Sequence, residues 1–215
     1  LAQIRNVARA FKNSAFLAVA SGLIVAVVTM IIAYLAIRGT VRGVKGVRFM
    51  QMAVVLPYAV PGVIIALAMI LAFSQPLPLV GIRLYNTIWI LLIAYVARFM
   101  NLGYNNISGA ISQVDASLEE AARISGASGL RAFRDIMLPL LKTSLTGSFF
   151  LVMAPTLSEL SLSSLLWSVG NETIGTIVFS AQEEGRILLT AAIAIVLILL
   201  VVILNLAVSS QTDKD

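Results

Sequence analysis

The chain has 215 residues, of which 60% are hydrophobic and only 12% are charged. This composition is far more apolar than that of a soluble globular domain and predicts an integral membrane protein. The formal net charge of +5 comes from basic residues that flank apolar runs, so the positive-inside rule accounts for it and we expect no nucleic-acid partner. Cysteine and histidine are absent from the sequence, which excludes disulfides, thiol catalysis and metal sites built on those two side chains.

Five apolar runs are long enough to cross a bilayer, for which about 20 residues are needed. Basic residues crowd the loops after the first and third runs, whereas the loops after the second and fourth carry few. The positive-inside rule therefore places the first and third loops in the cytoplasm, the N-terminus outside and the tail of residues 209–215 inside. The predicted spans are Ser14–Ile37, Met50–Phe73, Asn86–Ile107, Ser144–Leu166 and Ile187–Val208.

Residues 1–13 precede the first span and carry three basic side chains on the predicted outer face. Apolar residues recur there at helical intervals, so we expect an interfacial amphipathic helix, with which an earlier span would be compatible. The first residue is Leu1 and no signal peptide precedes it, which favours a piece of a longer polypeptide or an unseen start. Within the first span, small residues at every fourth position predict a close helix–helix contact: Ser14, Ala18, Gly22 and Ala26.

Prolines interrupt the second span, and an arginine interrupts the third. Pro57 and Pro61 remove two backbone hydrogen bonds one turn apart. Such breaks line a pathway in some transporters and elsewhere only kink and pack, and both interpretations stay open here. Arg98 is an intramembrane charge and hence a functional hypothesis, although anchoring by snorkelling or by pairing with a carbonyl is the favoured role.

The fourth span carries a carboxylate, Glu159, after a kink expected at Pro155 and amid several serines that include Ser158. Such a hydroxyl-rich face could contact a cation or line a gate, or Glu159 could simply hydrogen-bond to serines across a helix interface. Both alternatives stay open. The candidate pathway or gate residues are thus Glu159, Ser158, Pro57 and Pro61, and no metal ligand is assigned.

Residues 115–139 form a mixed-charge segment between the third and fourth spans. Ser117 and Glu120 have the spacing of a capping box, so a helix is predicted to begin there. Gly126 lies where that helix could end with a positive φ, which glycine adopts at little cost. Pro139 is tolerated in the first turn of the next helix. The segment therefore predicts a short helix, a turn and a second helical stretch parallel to the membrane surface.

The same segment, EAARISGASGLRAFRDIMLP, resembles the EAA motif of ABC-transporter permease subunits. That motif reads EAA, three residues, G, nine residues, then I-x-L-P. The resemblance implies a cytoplasmic coupling helix that fits a groove on an ATPase subunit, with two alanines at the docking face. The implied coupling positions are Glu120, Ala121, Ala122, Gly126, Ile136, Leu138 and Pro139.

Residues 14–208 as a whole resemble the core of a binding-protein-dependent permease of the MetI-like fold, through stretches such as LPYAVPGVIIALAM. The expected fold is all-α, with five core transmembrane helices and a cytoplasmic EAA loop at 115–139, in the bacterial inner membrane. The resemblance implies three partners: ATPase subunits that bind ATP and Mg²⁺, a second permease domain (fused or separate) and an external substrate-binding protein. This chain lacks a phosphate-binding loop, so we expect neither enzyme activity nor a cofactor of its own.

The stretch Glu159–Gly185 resembles permeases of the ferric-iron type, which often fuse two such domains in one chain. Ferric iron is therefore the predicted substrate, with polyamines, phosphonates and sulfate-like anions as alternatives. A gradient-driven secondary transporter is the alternative from another class. It predicts acidic or histidine relays in several spans and often an inverted repeat, whereas the spans here carry only Arg98 and Glu159 as buried charges.

Overall fold

The computed structural model of the chain describes residues 2–41, 46–76, 81 and 83–212. Helices make up most of this part of the chain, as the apolar runs predict. A π-helical turn, Phe133–Met137, continues α6 into α7. The α-helices are α1 Ala2–Val41, α2 Val47–Ala59, α3 Gly62–Phe73, α4 Ile88–Gln113, α5 Ser117–Ile124, α6 Gly129–Ala132, α7 Leu138–Leu140, α8 Lys142–Leu157, α9 Ser163–Leu166, α10 Ile174–Glu183 and α11 Ile187–Thr212.

The first helix is continuous across the boundary predicted at residues 13 and 14. Residues 2–13 are its opening turns rather than a separate helix, and their position at a membrane interface stays a prediction. At the other terminus α11 continues to Thr212, so residues 209–212 belong to its last turn. The remaining residues of the predicted tail, 213–215, lie outside the described ranges.

The long helix α1 packs against α4 and α8 in the centre of the fold. Its face of small residues, Ser14, Ala18, Gly22 and Ala26, is buried. A Cβ atom added at Gly22 would lie 2.9 Å from the carbonyl oxygen of Phe149 in α8. The predicted close helix–helix contact is therefore confirmed, because only a hydrogen atom fits between the two backbones.

The second predicted span is a sharply bent pair of helices. The axes of α2 and α3 differ in direction by 115°. The bend falls between Ala59 and Gly62, where Val60 has extended backbone and Pro61 precedes α3. The two helices pack into different parts of the core. Side chains of α2 join a buried cluster around Met137, and those of α3 join a second cluster around Tyr95.

The fourth predicted span, Ser144–Leu166, is also broken. Helix α8 contains Pro155 but ends at Leu157, and the short α9 begins only at Ser163. The prediction that residues 144–166 form one helical span kinked at Pro155 was therefore wrong. Pro155 has no N–H to donate, and the turn that follows it ends α8 at Leu157. In the described part of the chain, α1 and α4 are each long and apolar enough to cross a membrane.

Candidate functional site

The EAA segment folds as a helix, a turn and a second helix, as predicted, but its first helix is capped differently. Helix α5 begins at Ser117, where the sequence placed it, yet no side chain caps it from Ala116. Instead, the backbone N–H of Ser117 donates to Oδ1 of Asp115 at 2.9 Å. This hydrogen bond lowers the pKa of Asp115. The predicted capping box between Ser117 and Glu120 was therefore wrong, because the acceptor lies two residues before the helix.

Gly126 ends this helix in a left-handed conformation, as the sequence predicted, with φ of +88°. The N–H of Gly126 donates to the carbonyl of Arg123, and the N–H of Ala127 donates to that of Ala122, both at 2.9 Å. These two bonds form a Schellman motif, which supplies donors to carbonyls that would otherwise be unpaired at the end of the helix. A Cβ atom added at Gly126 would meet no atom within 4 Å. Glycine is therefore required within this chain for its backbone angle and not for packing.

The coupling positions named by the motif divide between the surface and the core of the loop. Glu120, Ala121, Gly126 and Pro139 are exposed, whereas Ala122, Ile136 and Leu138 are half-buried. Large apolar side chains that the motif does not name stand out beside them: Ile124 is 88% exposed and Leu130 is 78% exposed. An exposed apolar surface of this kind on a polar loop is typical of a protein-docking site.

The second half of the loop is fixed beneath the membrane helices by side chains that sequence reasoning missed. Met137 and Leu141 are fully buried in a cluster with residues of α1, α2 and α4. The ring of Phe133 meets that of Tyr34 in α1 edge to face, with centroids 4.7 Å apart. The positions 133, 137 and 141 recur at helical spacing, and that periodicity was the available indication of a buried face.

Glu119, immediately before the EAA triplet, is the most buried acidic residue of the loop, at 2% exposure. Its Oε1 accepts from Nε of Arg38 at 2.9 Å and its Oε2 accepts from the hydroxyl of Tyr34 at 2.8 Å. Arg38 also donates to the carbonyl of Val114, just beyond α4, at 2.7 Å. We call Tyr34, Arg38 and Glu119 the inner cluster. It places the C-terminal turns of α1 and the EAA loop at the same end of the molecule.

The opposite end of α1 contacts the segment that leads into α10. The side-chain amide of Asn13 donates to the carbonyls of Gly170, at 3.2 Å, and Glu172, at 2.9 Å. Arg9 pairs with Glu172 at 3.8 Å. The hydroxyl of Ser14 accepts from the N–H of Ile174 at 2.9 Å. We call Arg9, Asn13 and Glu172 the outer cluster.

Arg98 anchors the break between α2 and α3. Its Nη1 donates to the carbonyl of Val60 at 2.7 Å, so the predicted pairing with a carbonyl is confirmed. A Cβ atom added at Gly62 would lie 2.8 Å from Cβ of Ser161. The break in the second predicted span therefore lies against the break in the fourth. Pro61 is exposed and Pro57 half-buried at this place, and their role in a pathway stays a prediction.

Glu159 lies in the turn between α8 and α9 and is half-buried. Its Oε1 accepts from the backbone N–H of Leu162 at 3.0 Å, and its carbonyl accepts from the hydroxyl of Ser163 at 2.7 Å. Ser163 in turn hydrogen-bonds to Tyr95. Ser158 is exposed, and its hydroxyl donates to the carbonyl of Pro155. Glu159 thus stabilises the turn, and the gate role proposed for it and Ser158 stays a prediction.

Metal-binding groups are scarce in this protein. Over the described ranges, the structure brings together no group of three or more histidine, cysteine, aspartate or glutamate side chains that could hold a metal ion. Glu159 therefore belongs to no such group within these ranges.

The helix arrangement is that of ABC-transporter permeases. A crystal structure of a bacterial alginate ABC transporter, bound to a periplasmic protein carrying alginate pentasaccharide, matches with a TM-score of 0.75 at 17% identity, covering 96% of this chain and 78% of that one. The MetNI methionine ABC transporter, in inward-facing conformations, matches with a TM-score of 0.73 at 17% identity, covering 98% and 94%. These similarities establish the fold.

Residues 27–213 match the family described as the inner membrane component of binding-protein-dependent transport systems, and the chain belongs to that family. It is 31% identical over 163 residues to a Salmonella typhimurium protein named as the 2-aminoethylphosphonate transport system permease PhnV, covering 75% of this chain and 60% of that protein. It is 29% identical over 150 residues to the putrescine permease PotI of Escherichia coli, covering 68% and 51%.

The ferric transport permease FbpB of Actinobacillus pleuropneumoniae is a more distant relative. It is 27% identical over 158 residues, which cover 73% of this chain and 22% of that protein. The chain therefore spans 60% or less of the length of these three curated relatives. The resemblance to ABC permeases and the MetI-like fold are confirmed, whereas ferric iron is one of several substrates for which relatives are named.

Proposed function

We propose that this chain is a permease domain of an ATP-driven, binding-protein-dependent importer in a bacterial inner membrane. The observation that carries the proposal is the EAA loop: a short helix ended by Gly126, with apolar side chains exposed on one side and buried anchors on the other. A loop that is fixed to the membrane helices can transmit a displacement imposed on its exposed face. Membership of the family supports the same conclusion.

The proposed partners follow from this arrangement. ATPase subunits, which bind ATP and Mg²⁺, dock on α5 and α6 around Ile124 and Leu130, because these apolar side chains have no covering surface within the described chain. A second permease domain completes the pathway, and a substrate-loaded binding protein docks at the outer end. The basic residues at 38–48 and 115–139 support a cytoplasmic position for the EAA loop and the C-terminus.

The proposed substrate is a small charged solute. Relatives of this chain are named for 2-aminoethylphosphonate, putrescine and ferric iron, at 31%, 29% and 27% identity. This order favours the phosphonate slightly over the iron that the sequence predicted. A gradient-driven transporter is disfavoured by the family match, and Arg98, the charge inside the predicted third span, anchors a helix break.

A glycine series tests the coupling role of the loop. Asparagine tolerates the left-handed backbone region, so Gly126→Asn keeps the Schellman turn but adds a side chain to the docking face, whereas Gly126→Val also strains the backbone by roughly 1–3 kcal/mol. We expect both variants to lose co-purification with the ATPase. Gly185, which has φ of +70° and open space around its Cβ position, supplies the control Gly185→Asn, which we expect to keep it. Co-purification retained by Gly126→Val would contradict the docking assignment.

The substrate is tested by ATP-dependent uptake into vesicles that contain the complete complex and its binding protein. Radiolabelled 2-aminoethylphosphonate, putrescine and ferric iron are supplied in parallel. We expect uptake of one of the three, lost in Gly126→Val. Uptake that continues without ATP and collapses with the proton gradient would contradict the ATP-driven mechanism.

A further inference from the structure

The EAA loop is tied to α1 by an ion pair that lies outside the motif. Glu120 is exposed, whereas the preceding Glu119 is turned inward and is 2% exposed. Both carboxylate oxygens of Glu119 are occupied by side chains of α1, at 2.9 Å from Arg38 and 2.8 Å from Tyr34. Two neighbouring residues of one short helix thus differ in role: Glu120 lies on the exposed face, and Glu119 binds the membrane helix α1.

Arg38 joins three helix ends rather than two. Besides Glu119 in α5, its guanidinium reaches the carbonyl of Val114, the residue that follows α4. Its side chain is only 12% exposed. A guanidinium presents donors in a rigid fork, so two acceptors on different elements are held at fixed relative positions.

Tyr34 extends the connection to the second half of the loop. Its hydroxyl binds Glu119, and its ring packs against Phe133 in the π-helical turn that follows α6. The last turns of α1 therefore contact both halves of the loop. α1 itself packs against α4 and α8 along the bundle, so a displacement of α5 that kept these contacts would move α1 with it.

We propose that the inner cluster is a positioning device that makes α5 and α1 move as one body when the ATPase displaces the loop. This inference rests on the proposed function and deepens it. Glu119 and Arg38 touch neither nucleotide nor substrate in this role; they fix the docked helix to the first membrane helix. The cluster therefore determines how much of the ATPase motion reaches the bundle.

The test measures the distance between spin labels in the complete complex. The native chain has no cysteine, so Val27→Cys in α1 and Ser117→Cys in α5, both exposed, can be labelled cleanly. We expect the native distance distribution to be the same without nucleotide and after trapping with ATP and vanadate. In Glu119→Gln, which removes the charge but keeps the shape, we expect the distance to shift or broaden on trapping. We also expect stimulation of the ATPase by loaded binding protein to fall about fivefold or more.

Two further variants make the result decisive. Tyr34→Phe keeps the contact with Phe133 and removes one hydrogen bond, so it should show the same effects more weakly. If Glu119→Gln does not assemble, the result for Tyr34→Phe tests the inference. Asp135→Asn breaks an exposed ion pair in the same loop, at 3.6 Å from Arg134, and should change neither readout. Unchanged distances and stimulation in both test variants would overturn the inference. Failure of the native chain to bind the ATPase would instead overturn the proposed function.

Discussion

The two ends of α1 are connected to distant parts of the chain in different ways. At the inner cluster, a carboxylate and a guanidinium with side chains 3% and 12% exposed meet at 2.9 Å. At the outer cluster, Arg9 and Glu172 meet at 3.8 Å, and the arginine side chain is 38% exposed. Desolvated pairs are sensitive to the loss of one partner, whereas exposed pairs contribute little. The same helix is therefore held by a buried ion pair at the inner end, and at the outer end by a longer ion pair together with neutral hydrogen bonds from Asn13.

The largest difference should appear on removing one partner of the inner cluster. We expect Glu119→Ala to lower the free energy of unfolding by about 3–5 kcal/mol, because the buried guanidinium of Arg38 loses its counter-charge. Equilibrium unfolding of the purified chain in micelles with increasing SDS measures this value. Asp135→Ala, in an exposed pair of the same loop, is the control and should cost about 1 kcal/mol or less. If Glu119→Ala lowered the free energy of unfolding by less than about 1 kcal/mol, the inner ion pair would be no more stabilising than an exposed one.

The hydrogen bonds of the outer cluster should matter less. Asn13→Ala removes two bonds to the carbonyls of Gly170 and Glu172, and we expect a loss of about 1–2 kcal/mol in the same assay. The exposed neighbour Lys12 gives the control Lys12→Ala, expected within about 0.5 kcal/mol of the native chain. A cost equal to that of Glu119→Ala would show that both ends are fixed alike.

The outer ion pair should contribute least among these contacts. For Arg9→Ala we expect a change of about 0–1 kcal/mol, because the pair is long and partly solvated. Repeating the unfolding at low and at high salt sharpens the comparison. The small effect of Arg9→Ala should shrink further with salt, whereas that of Glu119→Ala should persist, since burial shields it from screening. A salt-sensitive inner pair would contradict the burial argument.

The smallest effect concerns pH at the start of α5. The pKa of Asp115 is lowered from its ordinary value of 3.8 by hydrogen bonding from Ser117. The stabilisation is therefore present above that ordinary value and is lost as the pH falls through the lowered one. We expect Asp115→Asn, which keeps an acceptor but lacks the charge, to be slightly less stable than the native chain at pH 7 and to lose less stability on acidification. Identical acid profiles for the two chains would show that this cap does not stabilise α5.

Local backbone chemistry made part of the segment 115–139 predictable. Gly126 follows a short helical stretch, and a positive φ at a helix end follows from glycine alone, with no knowledge of the rest of the fold. Apolar run lengths likewise predicted where the chain is helical. Both features depend on residues that are close together in sequence.

Contacts between distant residues were not predictable in the same way. The burial of Glu119 depends on Arg38, 81 positions away, and no local pattern indicates it. The breaks after Ala59 and Leu157 lie against each other through Gly62 and Ser161, and hydropathy alone gives no indication of that contact. The capping box failed for a local reason: the N–H of Ser117 donates to Asp115 instead of Glu120, and the N–H of Glu120 donates to the carbonyl of Ala116 instead of the Ser117 hydroxyl.

The continuity of α1 has a thermodynamic consequence. At about 1.5 Å per residue, its 40 residues extend for roughly 60 Å, about twice the thickness of the hydrocarbon core of a bilayer. One uninterrupted helix thus contacts the EAA loop through Arg38, near its C-terminal end, and the segment before α10 through Asn13, nearer its N-terminal end. In the proposed importer, partners that act on the two ends would be linked through a single helix, and such linkage is reciprocal: whatever factor ATPase docking imposes on binding at the outer end, binding there would impose on ATPase docking.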